Sequence, residues 1–546
     1  MIDRYGRMIL ERRYLKREKD GRLAEDPEGM FWRVATYIAE AEKNYVKNEH
    51  LYMAEQFFLI MKDLEFLPNS PCLMNAGKDL GQLAACFVLP VEDSLDSIFE
   101  AVKLTAKIHQ SGGGTGFSFS RLRPKGDIVS STMGVASGPV SFMKVFNITT
   151  EVIKQGGTRR GANMGILSID HPDIEEFVTA KRDPNELTNF NISVAVTDRF
   201  MEAYFKDEEF ELINPRDKRV VRTVKARKLM NLIAESAHIC GEPGCIFIDT
   251  INKGNPLPHL GKIEATNPCS EQPLLPYESC CLGSINLSSL VKDGKVDWEK
   301  LKKIVHLAIR FLDNVIDMNR YPHPEIERMS KLTRKVGLGV MGFAHMLIKM
   351  GIPYDTIEAE RIAEELMGFI QKESKIASKV LAERRGTFPS YEGSVWQKTG
   401  LPQRNATTTT IAPTGTLSLI AGTSSGIEPI YDVNYTRIIL GDIKIEIEDP
   451  LFKEFLDRGE SEETIKRLFR TTYSISPAWH LRIQAAFQRH IDNGVSKTIN
   501  LPEATKVHEI EEIFVQAYRL GLKGISVFRN RSRQYQVMSC SGQTLC

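Results

Sequence analysis

The 546-residue chain is short of several things that would point elsewhere. No apolar run reaches 18 residues, so no transmembrane helix is expected, and Met-Ile-Asp-Arg-Tyr-Gly-Arg at the start has no signal-peptide apolar region. The net charge is only +1, which gives no electrostatic footprint for nucleic acid or an acidic surface partner. The nine cysteines include no Cys-x-x-Cys, and no His-Glu-x-x-His occurs, so a zinc site is unsupported. Their odd number, in a chain of this length without a signal peptide, fits a reducing, cytoplasmic setting. Ser111-Gly-Gly-Gly-Thr-Gly-Phe-Ser-Phe-Ser120 lacks the Lys-Ser/Thr of a P-loop and leads into a strand rather than a helix. We read it as a close backbone crossing.

What is present is an ordinary soluble composition, 42% hydrophobic and 26% charged, long enough to bury a large core. Residues 1–75 read as helical, with Phe31, Val34, Ala35 and Ile38 at helical spacing. Strands are expected at 83–91, 163–170, 191–197, 246–249, 336–343 and 521–530. Long helices are expected at 299–319 and 357–385, the second ending on Arg384-Arg385-Gly386. This alternation argues for an α/β fold.

The most informative stretch is Ala265-Thr-Asn-Pro-Cys-Ser-Glu-Gln-Pro-Leu274. In an extended loop Asn267, Cys269 and Glu271 would share one face. That would bring an amide, a thiol and a carboxylate to one small substrate. Other segments carry chemistry but also plain readings. Ser70 lies in a turn-rich segment and suits a backbone cap. Cys72 and Cys86 would be packing residues, and Cys240 and Cys245 flank a turn entering a strand. Asp93 or Ser94 could cap the following helix. Pro413-Thr-Gly-Thr416 reads as a strand-to-helix turn whose N–H groups could take phosphate or simply be capped. Gln155-Gly-Gly-Thr-Arg-Arg-Gly-Ala-Asn163 combines a mobile backbone with Gln155 and Arg159, which can hydrogen-bond or stack on a base.

Together these motifs resemble the ribonucleotide reductases, from about residue 60 to about residue 530. The decapeptide is similar to the family's finger loop, Asn-Pro-Cys-x-Glu. The most similar branch is class II, the adenosylcobalamin-dependent enzymes, although Ser270 stands where many of them have Gly. The resemblance implies a ten-stranded α/β barrel, with two five-stranded parallel halves running antiparallel and the finger loop inside. A helical region (1–75) would precede the barrel (76–530), and a mobile redox tail (531–546) would follow it.

It further implies a radical at Cys269, Glu271 as general base, and Asn267 on the ribose hydroxyls. Cys86 and Cys280 would be the thiols that become a disulfide at each turnover; Cys281 stands where the family commonly has Asn. Ser70, Ala85, Pro413, Thr414, Gly415 and Thr416 would receive the substrate. Asp93, Leu95, Arg123, Gln155 and Arg159 would receive the effector, and Cys540 and Cys546 would shuttle electrons. The implied cofactor is adenosylcobalamin. The implied partners are a ribonucleoside di- or triphosphate, deoxynucleotide or ATP effectors, a thioredoxin- or glutaredoxin-type reductant and a second copy of the chain. A class I subunit, a glycyl-radical enzyme and a catalytically inactive nucleotide-binding regulator are the alternatives. No Tyr-Tyr pair occurs among the 15 tyrosines to serve a class I relay, and Asp-x-His-x-x-Gly, the motif that lends a histidine to cobalt, is absent.

Overall fold

The computed structural model describes residues 2–129, 134–153, 161–439, 443–533 and 538–540. A ten-stranded mixed sheet forms its centre. The strands in chain order are β1 (Phe66–Pro68), β2 (Cys86–Val88), β3 (Gly114–Ser118), β4 (Asn163–Ser168), β5 (Phe190–Val196), β6 (Gly244–Phe247), β7 (Ser279–Asn286), β8 (Val336–Met341), β9 (Thr498–Leu501) and β10 (Gly524–Arg529). β2 to β6 form one parallel array. β7 and β8 are parallel, as are β9 and β10. Leu338 bridges Thr409 and Ile411 bridges Val495, both in parallel, so residues 407–411 fill the gap between β8 and the chain entering β9. The two halves meet at antiparallel seams, β6 against β10 and β2 against β7. The sheet therefore closes on itself.

Closure explains the composition of these strands. All eight residues of β7 and all six of β8 are buried, as expected where both faces are covered. One face packs under the outer helices. The other forms a smaller apolar cluster inside the barrel that includes Cys86, Met164, Ile166, Ala195, Ile246, Cys280 and Leu282. The segment after residue 66, expected to be a loop, instead gives β1 and a short helix, Ser70–Asn75, because the Asn69 side chain accepts from the Cys72 N–H at 3.0 Å.

The expected long helices span Trp298–Met318 and Ile357–Arg385. The N-terminal helices are fastened to them by buried ions. Glu42, fully buried, pairs with Arg310 and Arg385 at 2.7 Å each. Arg385 also reaches Asp313 at 2.8 Å, and Arg334 pairs with Asp313 at the same distance. At the far end, residues 538–540 add a third strand to the hairpin of Asn434–Ile439 and Ile443–Glu448, with Cys540 opposite Tyr435. Cys546 lies outside the described residues.

Candidate active site

The finger loop is a hairpin, Ala265–Thr266 paired with Pro273–Leu274, that projects into the barrel. Backbone rather than side chains makes its space. A Cβ on Gly116 would lie 1.7 Å from the Thr266 carbonyl oxygen, and one on Gly494 would lie 2.5 Å from that of Ser270. The glycine-rich run at 111–116 is thus where two chains cross. The loop is held from three sides. The Asn191 amide donates to Pro268 O at 2.8 Å, Thr410 Oγ1 donates to Glu271 O at 2.8 Å, and the Gly494 N–H donates to the same carbonyl at 2.8 Å.

The tip is not extended, and the expected alternation fails there. The Ser270 N–H donates to Asn267 O at 3.0 Å and the Asn267 N–H to Gln272 O at 3.2 Å, which closes a turn. Ser270 takes φ +65°, a left-handed conformation that disfavours side chains other than glycine's. Its departure from Gly is therefore a conformational matter and not only one of size. The turn sends Asn267 and Glu271 inward, both 2% exposed, and leaves Cys269 exposed at the tip.

Beneath the tip the side chains converge on Cys86. Asn267 Nδ2 donates to Cys86 Sγ at 3.1 Å, and the same sulfur lies 4.0 Å from Glu271 Oε1. Asn267 Oδ1 accepts from the Gln272 N–H at 2.9 Å, which fixes the amide's orientation. Across the β2–β7 seam, Cys280 is the Cα partner of Cys86. Cys280 belongs to the barrel interior with Cys86, whereas Cys281, one residue on, packs in the outer core. Strand alternation thus separates the two neighbouring thiols. Burial pushes the Cys280 thiol well above the ordinary thiol range, the nearby Cys281 adds to this, and Lys335 opposes it.

The other expected contacts are distributed around this centre. Ala85 precedes Cys86 and its carbonyl accepts from the Gly114 N–H at 2.8 Å. Ser70 Oγ lies 2.7 Å from the Tyr14 hydroxyl. Pro413 and Gly415 line a cavity of about 460 Å³, which Tyr431, Tyr435, Tyr473, Arg437 and Asn500 also line. Thr414 Oγ1 accepts from the Gly426 N–H at 2.8 Å and Arg437 donates to Gly415 O at 3.0 Å. Thr416 follows in the short helix Gly415–Ala421. Pro413 is three residues beyond Thr410, whose hydroxyl holds the Glu271 backbone carbonyl, so the cavity wall begins ~10 Å along an extended chain from that contact.

Asp93 does not cap the helix Leu95–Gln110. Ser94 does, and Asp93 instead pairs with Arg123 at 2.8 Å. Leu95 is exposed. Gln155 and Arg159 lie outside the described residues.

Sequence reasoning missed Asn191, Thr410 and Gly494, whose contacts with the loop span 77 or more positions for the first and 139 for the second. It also missed the tyrosines of the cavity, which carry no local motif.

The sequence matches the family descriptions "Ribonucleotide reductase, all-alpha domain" over residues 2–81 and "Ribonucleotide reductase, barrel domain" over 84–403 and 397–528. It is 47% identical to a vitamin B12-dependent ribonucleoside-diphosphate reductase of Thermoplasma acidophilum, over 97% of this chain and 79% of that protein. It is 48% identical to one of Mycobacterium tuberculosis (strain CDC 1551 / Oshkosh), over 97% of this chain and 80% of that protein. A vitamin B12-dependent ribonucleotide reductase of Streptomyces coelicolor is 30% identical, over 87% and 59% of the two chains. With the closed barrel, the inserted finger loop and the opposed thiols beneath it, these matches show that the chain belongs to the ribonucleotide reductase family.

Proposed function

We propose that this chain reduces ribonucleoside diphosphates to 2′-deoxyribonucleotides by radical chemistry that depends on adenosylcobalamin. The observation that carries this is the stacking of Cys269, the Asn267–Glu271 pair and the Cys86–Cys280 pair within one barrel. Removing an unactivated 2′-hydroxyl needs a hydrogen abstractor, a base, a proton source and two electrons. Cys269, as a thiyl radical, takes the 3′-hydrogen. Glu271 accepts the 3′-hydroxyl proton. Asn267 holds the ribose hydroxyls. Cys86 and Cys280 together give two protons and two electrons: the 2′-oxygen leaves as water, C2′ gains a hydrogen and the pair ends as a disulfide, after which Glu271 gives its proton back and Cys269 returns the 3′-hydrogen. Pro413, Thr414, Gly415 and Thr416, with Ser70 and Ala85, bind the substrate, the phosphates lying on the cavity wall.

Adenosylcobalamin, when bound, supplies the radical chemistry through its cobalt–carbon bond. The cavity fits the nucleoside end of such a cofactor. Tyr431, Tyr435 and Tyr473 would give it aromatic faces and Asn500 a hydrogen-bonding amide. His345 also lines the cavity, with both ring nitrogens beside protein groups. Its Nε2 lies 2.8 Å from Asp449, and its Nδ1 lies 3.4 Å from Thr423 Oγ1.

Deoxynucleotide or ATP effectors would bind at Asp93, Leu95 and Arg123, with Gln155 and Arg159 carrying the signal to the substrate base. A homodimer is supported by exposed Leu95, Phe99, Ile148 and Val152 on two packed helices, Leu95–Gln110 and Pro139–Val152. Residues 531–546 would act as the redox tail, with Cys540 and Cys546 passing electrons from a thioredoxin- or glutaredoxin-type protein.

The test is turnover by the purified chain alone, with and without adenosylcobalamin. Formation of cob(II)alamin coupled to deoxynucleotide production is expected. Activity that appears only after a separate metalloprotein is added would overturn the cofactor assignment.

A further inference from the structure

Cys280 has an ion pair for a neighbour. The register that sets Cys281 beside Val336 and Leu282 beside Gly337 continues one step back to set Cys280 beside Lys335. Cys280 Sγ lies 3.6 Å from the Lys335 carbonyl oxygen. Glu278 lies two residues before Cys280, just ahead of β7. Lys335 Nζ and Glu278 Oε2 are 2.7 Å apart, with side chains 1% and 0% exposed. The carboxylate is aimed by the Leu275 N–H, which donates to Oε2 at 2.6 Å.

A buried pair of this kind is poor value as a stabiliser, because desolvation offsets most of its attraction. This one is also incompletely satisfied. Glu278 Oε1 and both polar atoms of the Gln272 side chain are buried without a hydrogen-bond partner among the described residues. Gln272 borders Gly337, where an added Cβ would meet its Nε2 at 2.8 Å. Unpaired polar atoms inside an apolar barrel call for a functional reason. Substrate reduction alone does not supply it, since Cys86, not Cys280, touches Asn267 and Glu271.

We propose that Lys335, held by Glu278, is the positioning cation for the Cys280 thiolate released when the Cys86–Cys280 disulfide is reduced. This rests on the assignment of that pair. A thiolate of an external dithiol attacks Cys86, the less buried sulfur. The Cys86–Cys280 bond breaks and its electron pair goes to Cys280. The reductant's second thiol, as its thiolate, then displaces Cys86 and leaves with its partner as the reductant's disulfide. Two electrons enter, and the dithiol's two protons end on Cys86 and Cys280. A better-stabilised leaving thiolate leaves faster. Burial disfavours a charged Cys280, so a nearby cation is needed. The other titratable groups close enough to act on it are Cys281, Glu278 and Glu271, none of them cationic. Lys523 faces Lys335 and is itself pushed down to about 8 by burial, against the pull of Asp492.

The experiment uses the full chain oxidised with diamide, its Cys86–Cys280 bridge verified by peptide mapping, and dithiothreitol as the reductant. Release of the two thiols is followed by rapid alkylation. Lys335→Met should slow reduction at least tenfold, and Lys335→Arg should restore most of the rate. Lys335→Met/Glu278→Gln removes the stranded carboxylate charge and covers the case in which the single variant fails to fold; it should be as slow as Lys335→Met. Equal rates for wild type and either Met-containing variant would overturn the proposal alone. Failure to find the bridge in oxidised wild type would overturn the pair assignment, and the proposal with it.

Discussion

Cys86 and Cys280 face each other directly across the antiparallel seam between the two halves of the barrel, while Cys281 turns to the outer core. Directly opposed residues on antiparallel strands have Cα atoms ~4.5–5.5 Å apart, inside the span a disulfide accepts. One turnover without reductant should therefore yield a Cys86–Cys280 peptide by mass spectrometry. A bridge containing Cys281 would show that the face assignment is wrong.

Cys269 is exposed at the tip of its turn, which the Asn267 and Ser270 backbones close. Cys269→Ala should abolish deoxynucleotide formation and leave nucleotide binding within about twofold, as read by equilibrium dialysis. Detectable product from this variant would remove Cys269 from the mechanism.

Ser270→Gly relieves a left-handed backbone at the same position. It should raise the denaturant midpoint, with a gain of about 1 kcal/mol. Gly116→Ala should do the reverse, since its Cβ would fall on the Thr266 carbonyl. Backbone must move to admit it, and activity should drop at least a hundredfold even where the protein remains folded by circular dichroism.

Asp313 provides a pH test. Burial alone would raise its carboxyl, but Arg334, Arg404 and Arg385 outweigh burial and hold it below the usual carboxylate range. Its folded pKa is depressed, so its contribution is full above the unfolded value of about 3.9 and is lost as pH falls toward the folded one. Urea midpoints of the wild type should fall below pH 4. Asp313→Asn should weaken that dependence and cost about 3–5 kcal/mol at neutral pH, because it strands buried guanidiniums.

The parts of the fold written in local periodicity were legible. The helix at Ile357–Arg385 and the strand at Gly524–Arg529 follow from spacing, a terminal Gly and an apolar run. The sequence set Asn267, Cys269 and Glu271 in one short loop, and the structure holds them in one turn. The tip's geometry was not legible, because alternation applies to an extended chain, and the Asn267–Gln272 and Ser270–Asn267 hydrogen bonds close a turn instead. Nor could the sequence show that Asp93 answers to Arg123 rather than to its own helix, since a cap and an ion pair ask for the same carboxylate. The Lys335–Glu278 pair lies 57 positions apart and becomes visible only once β7 and β8 are set in register.

The seam that carries the two thiols also joins chain segments made far apart in synthesis. A bond between Cys86 and Cys280 closes a loop of about 190 residues, and in the chain-entropy account such a loop penalises the unfolded ensemble by up to about 5 kcal/mol. Each catalytic cycle would then alternate between an unstapled barrel and a stapled one. The spent enzyme should melt later and resist proteolysis longer than the enzyme ready for substrate, so that reactivation by the reductant is also a loosening.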